Sequence, residues 1–381
     1  MRKLIVVLSI TALMGIALPA GAEEEINYCF GEQVTIEAGF RETVVGTSGP
    51  DVIHGGYVID GRGGDDLICS LNGPDKVYGG EGDDKIDGGD NQDTIEGGPG
   101  DDYLTTLSNY YAGVAGGDKV SYERASGPVS VDLSQGIATG EGTDTLSGFR
   151  EIIGSDYDDI LRADAERHDN GVYIDGRGGD DVIHGSNANV EYREVLLGGG
   201  GSDTIHAYRG WDLLVGAEGN DNLFGNRGTD DLQGGLGDDN MDGGRGSDSV
   251  RYGEVYVFGD GSFPGAQAAI RANFVTGTVD GEGKDTFSNF ESLEGTSFDD
   301  VLLGDGGPNS LGGGAGDDIL RGWRGDDFLS DGPGTDEMYG GRGSDFLGLK
   351  DGVGGDIFDG GNLGVDECRA DPEDIIANCE R

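Results

Sequence analysis

Aspartate recurs every nine residues over long stretches of this chain, with glycines at fixed distances before it. Between Gly198 and Arg251 the segments GGGGSDTIH, GNRGTDDLQ, GGLGDDNMD and GGRGSDSVR share one pattern, Gly-Gly-x-Gly-x-Asp-x-U-x, where U is a large apolar residue. The same frame runs from Gly61 to Thr105 and from Gly295 to Gly348, and isolated copies begin at Gly46, Gly154, Gly176 and Asp351. If two nonamers make one turn of a coil, residues eighteen apart stack on successive rungs about 4.8 Å apart. Asp203, Asp221 and Asp239 then line one edge, and Asp212, Asp230 and Asp248 the other. Carboxylates about 5 Å apart at an effective dielectric of about 20 repel by roughly 3 kcal/mol, which a merely solvated acidic face leaves uncompensated. A hard divalent cation with about six to eight oxygen ligands removes that repulsion and can use turn carbonyls. Calcium suits this better than magnesium, which dehydrates reluctantly and demands stricter octahedral geometry.

The elements that must hold such a ladder follow from the other positions. Glycines at places one, two and four allow tight, closely approaching turns. The last three residues can extend as a short strand with one apolar side chain pointing inward. Composition agrees: 78 of 381 residues are Gly, only 8% are aromatic, and 74 acidic residues against 25 basic ones give a formal charge of −49. So much Gly argues against a large close-packed core. So much negative charge argues against nucleic acid and anionic membrane surfaces as partners. Low hydrophobicity with high charge is also the signature of disorder, but a period kept over so many units excludes random low complexity.

The nonapeptide resembles that of the RTX, or haemolysin-type, calcium-binding repeat family. The resemblance covers about half the chain directly and implies an all-β fold, a right-handed parallel β-roll or β-solenoid with Ca²⁺ held in its turns. It carries the ligand role to the sixth-position aspartates. These are Asp66, Asp75, Asp84, Asp93 and Asp102 in the first array, and Asp203, Asp212, Asp221, Asp230, Asp239 and Asp248 in the second. The third supplies Asp300, Asp318, Asp327, Asp336 and Asp345, and the isolated copies add Asp51, Asp181 and Asp356. Asn309 replaces the aspartate in one repeat, and Tyr157 and Phe298 occupy fourth-position glycine places. Weak or absent calcium binding is expected at those rungs, which open segments after an interruption.

Arg2 and Lys3, an apolar run from Leu4 to Leu18 and the small residues Ala20, Gly21 and Ala22 make residues 1–22 a secretory signal peptide by pattern. In an exported chain, Cys29, Cys69, Cys368 and Cys379 read as two local disulfides clamping the two ends, although spacing alone permits three connectivities. Residues 23–60 then form an N-terminal cap with the first repeat. Repeat arrays occupy 61–105, 198–251 and 295–359, irregular repeats 154–197, and a C-terminal cap 360–381. Strand-rich inserts fill 106–153 and 252–294, expected as wider rungs continuing the solenoid. Gly136–Leu161 aligns with Gly277–Leu302 at a constant offset of 141, so an array-plus-insert unit is duplicated.

No catalytic constellation rises above chance: GxSxG, HExxH and a glycine-rich loop followed by Lys-Ser/Thr are all missing. His54, His184 and His206 fall at ninth positions, His168 lies in a polar interruption, and Trp211 and Trp323 sit at turn places where a sugar could stack. The sequence therefore predicts a secreted, calcium-loaded solenoid without catalysis, a structural or interaction module whose folding is coupled to extracellular calcium. Its expected partners are calcium and a cell-surface, matrix or polysaccharide component, without nucleic acid or membrane insertion. A calcium-dependent adhesin, or an appendage of a secreted polysaccharide- or peptide-cleaving enzyme, is the alternative.

Overall fold

A computed structural model describes residues 28–39, 42–106, 117–163, 171–187, 193–257, 261–281, 283–348, 352 and 354–380. The leader segment 1–22 and His168 lie outside the described residues. Among those described there is no helix, and every repeat contributes a short strand, most of three residues, such as Leu67–Cys69, Lys76–Tyr78 and Lys85–Asp87. In each the middle residue is buried and its neighbours are not, because alternate strand side chains point to opposite faces.

Successive strands go alternately to two sheets. In the first sheet Val58–Asp60, Lys76–Tyr78 and Thr94–Glu96 pair in parallel, and the series continues to 16 strands. In the second, Leu67 opposes Lys85 and Lys85 opposes Tyr103, a register of eighteen residues that makes two nonamers one rung. The chain is an all-β parallel solenoid. Between the sheets runs one column of apolar side chains, among them Ile53, Ile59, Ile68, Val77, Ile86 and Ile95, each fully buried. The core is one residue deep per half-rung, so its stability grows along the axis and not with thickness.

The inserts widen the rungs without breaking the column. Tyr103–Thr105 pairs in parallel with Thr143–Ser147, which runs antiparallel to Ile137–Thr139, itself antiparallel to Ser130–Asp132. Parallel pairing then resumes with Ile160–Arg162. The second insert repeats this with Lys284–Ser288, Thr278–Asp280 and Arg271–Asn273, each 141 residues on. It also carries an additional hairpin, Val255–Val257 with Gly261–Phe263.

Both ends are bridged locally, by Cys29–Cys69 and Cys368–Cys379, each with Cα atoms 5.8 Å apart. In the tail, Ile375–Ala377 adds a strand beside Ile357–Asp359, with Ile375 and Ile376 exposed and Ala370 and Cys379 packed against the core column.

Candidate functional site

Every sixth-position aspartate named from the sequence is buried, from Asp51 through Asp356. They are not a solvated acidic fringe. Each sits at the entry to its strand, where its Oδ1 faces the rung before it. Along one edge the backbone N–H of Asp66 donates to Asp84 Oδ1 at 2.8 Å, and that of Asp84 to Asp102 Oδ1 at 2.8 Å. Asp181, Asp203, Asp221 and Asp239 continue in the same way, as do Asp300, Asp318, Asp336 and Asp356. The opposite edge repeats the pattern through Asp75 and Asp93, through Asp212, Asp230 and Asp248, and through Asn309, Asp327 and Asp345.

The second oxygen separates the rungs into two kinds. In Asp66, Asp75, Asp84, Asp93, Asp102, Asp181, Asp203, Asp212, Asp221, Asp230, Asp239, Asp248, Asp318, Asp327 and Asp345, Oδ2 is buried and accepts no hydrogen bond. Leaving such a group unsatisfied is costly. Gly225–Gln233 shows what surrounds it. A methyl group on Gly225 would lie 2.6 Å from Asp230 Oδ2 and 2.7 Å from the carbonyl oxygen of Gly243, one rung on. Gly225 therefore keeps open a small volume on which both oxygens bear. Both are acceptors. What the arrangement lacks is positive charge or a proton.

Burial supplies the proton when nothing else does. It pushes the carboxyl of Asp84 up to about 7, those of Asp93, Asp102, Asp212 and Asp230 to about 8, and that of Asp181 to about 9. Neighbouring carboxylates on adjacent rungs add to the shift. A cation that takes their place must be satisfied mainly by carbonyl oxygens, since no group of three or more acidic, His or Cys side chains comes together among the described residues. That donor set, all oxygen and mostly neutral, is one calcium accepts.

In three other rungs a donor already occupies Oδ2. Thr47 N–H reaches Asp51 Oδ2 at 2.6 Å, Ser155 N–H reaches Asp159 Oδ2 at 2.6 Å, and Thr296 N–H reaches Asp300 Oδ2 at 2.6 Å. Each donor is a second-position residue other than Gly. Asp305 N–H does the same for Asn309 Oδ1 at 2.9 Å. On the edge that leads into the second sheet, the first two ladders also end capped. Tyr122 hydroxyl donates to Asp144 Oδ2 at 2.8 Å and Tyr252 hydroxyl to Asp285 Oδ2 at 2.7 Å. Each orphaned run on that edge thus starts beside a capped rung, and two of them stop at one.

Sequence reasoning missed these caps, together with Asp118, Asp144, Asp159, Glu194, Asp285, Glu291 and Asp366, which extend the ladders through inserts and ends. The 141-residue duplication was the available signal for Asp144 and Asp285. Glu194 was invisible to the nonapeptide frame because its partner, Ser186, stands eight residues before it instead of four. Tyr122→Phe and Tyr252→Phe are each expected to cost about 1–3 kcal/mol in calcium, read from denaturant unfolding of the full chain. Pairing Tyr122→Phe with Asp144→Asn is expected to recover most of the loss.

The contacts of His184 and His206 are with each other and with Tyr208 and Phe224, away from the ladders. His184 and His206 stack outside the second sheet with ring centroids 5.6 Å apart, and His184 Nδ1 lies 2.8 Å from Tyr208 hydroxyl. His54 opposes Cys69 in register. Trp211 and Trp323 are more than half exposed, Trp323 not on a turn as expected but within the strand Ile319–Arg324, opposite Gly341.

No curated protein matches the chain. The family described as RTX calcium-binding nonapeptide repeat (4 copies) matches residues 38–57, 70–104, 172–189, 190–223, 215–250, 294–329 and 313–347, reaching all three arrays. With the nonapeptide frame, the parallel β-roll and the repeated matches in agreement, the chain belongs to the RTX calcium-binding nonapeptide-repeat family.

Proposed function

We propose that this chain is a secreted, non-catalytic structural or interaction module whose solenoid folds when extracellular calcium fills its turns. The ligands assigned are the aspartates with an orphaned Oδ2, joined by carbonyl oxygens of adjacent rungs such as that of Gly243. The buried, acceptor-only pairing of Asp230 Oδ2 with that carbonyl carries the reading, because burial of a carboxylate without a donor is tolerated only beside a cation. Asp51 and Asp300, capped by Thr47 and Thr296, and the Asn309 rung are assigned no ion of their own. Modules working outside the cell tolerate calcium affinities of about 10⁻⁴ to 10⁻³ M, so a chain unfolded at low calcium would fold on reaching the exterior. A leader-like N-terminal segment and two disulfides support that compartment.

Circular dichroism combined with calorimetric calcium titration of the full chain after residue 22 tests this. At neutral pH and above, strand signal is expected to rise as calcium is added, with heat uptake or release over the same range. An unchanged spectrum in chelator at neutral pH would overturn the coupling of folding to calcium.

A further inference from the structure

The two edges of the solenoid do not carry the same charge. On the edge leading into the second sheet, fifth-position acids form an outer ladder: Asp83 N–H donates to Asp65 Oδ1 at 3.1 Å and Asp101 N–H to Asp83 Oδ1 at 2.9 Å. The opposite edge of the second array bears a row of arginines. Arg209 opposes Arg227 and Arg227 opposes Arg245, in a small parallel sheet made by the turns themselves. The turn backbone fixes that row, since Arg227 N–H donates to Tyr208 carbonyl at 3.1 Å and Arg245 N–H to Asn226 carbonyl at 2.8 Å. Tyr208, Asn226 and Gly244 before them all have positive φ, which places the three third-position residues alike.

In a chain with 74 acidic and 25 basic residues, unpaired arginines are not expected by chance. Yet Arg209, Arg227 and Arg245 make no ion pair with any described residue, and Arg227 and Arg245 are exposed. Stacking like charges one rung apart, about 4.8 Å, is unfavourable by itself. An anionic partner with charges at similar intervals removes that cost. Beside the row stand Trp211, 60% exposed, and the turn hydroxyls of Thr229 and Ser247, also exposed. A flat aromatic face with flanking hydroxyls and guanidinium forks suits sugar rings that carry carboxylates.

The geometry points to a binding strip for a linear acidic polysaccharide, one carboxylate per sugar ring, laid along the turns of Arg209, Arg227 and Arg245 with a ring stacked on Trp211. The inference rests on the calcium reading above: Asp212, Asp230 and Asp248 lie buried under these same turns, and calcium beside them leaves the strip net positive. Nucleic acid fits less well, because its densely spaced phosphates would meet the strongly acidic remainder of the surface.

The test uses the full chain in excess calcium, with a short oligogalacturonide as probe and a neutral oligoglucan and a single-stranded oligodeoxynucleotide beside it. Calcium uptake is measured in the same samples. The oligogalacturonide is expected to bind, the neutral sugar not to bind, and R209Q/R227Q/R245Q to bind roughly tenfold more weakly with unchanged strand signal and calcium uptake. R209K/R227K/R245K is expected to retain most of the binding. Equal binding by the glutamine variant would overturn the strip by showing attachment through calcium bridging elsewhere. Tighter binding of the oligodeoxynucleotide, or no oligogalacturonide binding by a chain that has taken up calcium, would overturn it as well. Failure to take up calcium would instead overturn the reading on which it rests.

Discussion

Held in chelator, the full chain is expected to carry more strand at about pH 5 than at about pH 8, the reverse of its behaviour in calcium. The sign follows from burial. Asp93, Asp102, Asp212 and Asp230 titrate near 8 and Asp181 near 9 in the folded chain, against an ordinary value of 3.8. A raised folded pKa gives stability that is complete below the unfolded value and is lost as pH climbs through the folded one. Between those limits the folded chain holds protons that the unfolded chain has released, so metal-free stability falls with rising pH. Each carboxyl contributes at most about 1.4 kcal/mol per pH unit, and less where stacked neighbours share protons. Calcium competes with the same protons, so the loaded chain gains stability over the same span. Thermal unfolding followed by circular dichroism, with chelator and with excess calcium, should give midpoints that diverge as pH rises. A metal-free midpoint that rises with pH would sink the protonated-ladder account.

The period of nine made much of this legible. An apolar residue at every eighth position, as in Ile68, Val77 and Ile86, can be buried in only one way once two nonamers close a turn, and the structure puts each in the central column. Ladder membership of Asp203, Asp221 and Asp239 followed from the same arithmetic. What the frame could not reveal was the state of the second carboxylate oxygen. Thr47, Ser155 and Thr296 look like minor deviations from a second-position glycine, yet their backbone N–H groups decide whether the aspartate four residues on is satisfied. Tyr122 and Asp144 are 22 residues apart across a folded-back meander, so their contact has no signature in a nonapeptide pattern. The arginine row was hidden for a different reason. Third positions are unconstrained in the motif, and only the pairing of the turns shows that Arg209, Arg227 and Arg245 share one line.

Asp230→Asn should separate calcium binding from folding at a single rung. The asparagine oxygen can keep accepting the Asp212 N–H, which lies 3.0 Å from Asp230 Oδ1, while its Nδ2 faces the Gly243 carbonyl as a donor where the carboxylate had none. Asn309 stands naturally in such a ladder, with its N–H donating to Asp327 Oδ1 at 2.8 Å. The variant is therefore expected to take up less calcium than the parent, yet in chelator to keep its strand signal to higher pH, because its amide supplies the donor that Asp230 loses as pH climbs through about 8. Asp230→Ala removes the acceptor for Asp212 N–H as well as the candidate ligand, so it should destabilise the chain in calcium and gain nothing in chelator. Asn309→Ala, at a rung assigned no ion, should lower stability less than Asp230→Ala and leave calcium uptake unchanged. Calcium stoichiometry and denaturant unfolding on the three variants measure both quantities. If Asp230→Asn and Asp230→Ala lose stability alike in chelator, or if Asn309→Ala loses as much calcium as either, the orphaned oxygen is not what binds the cation.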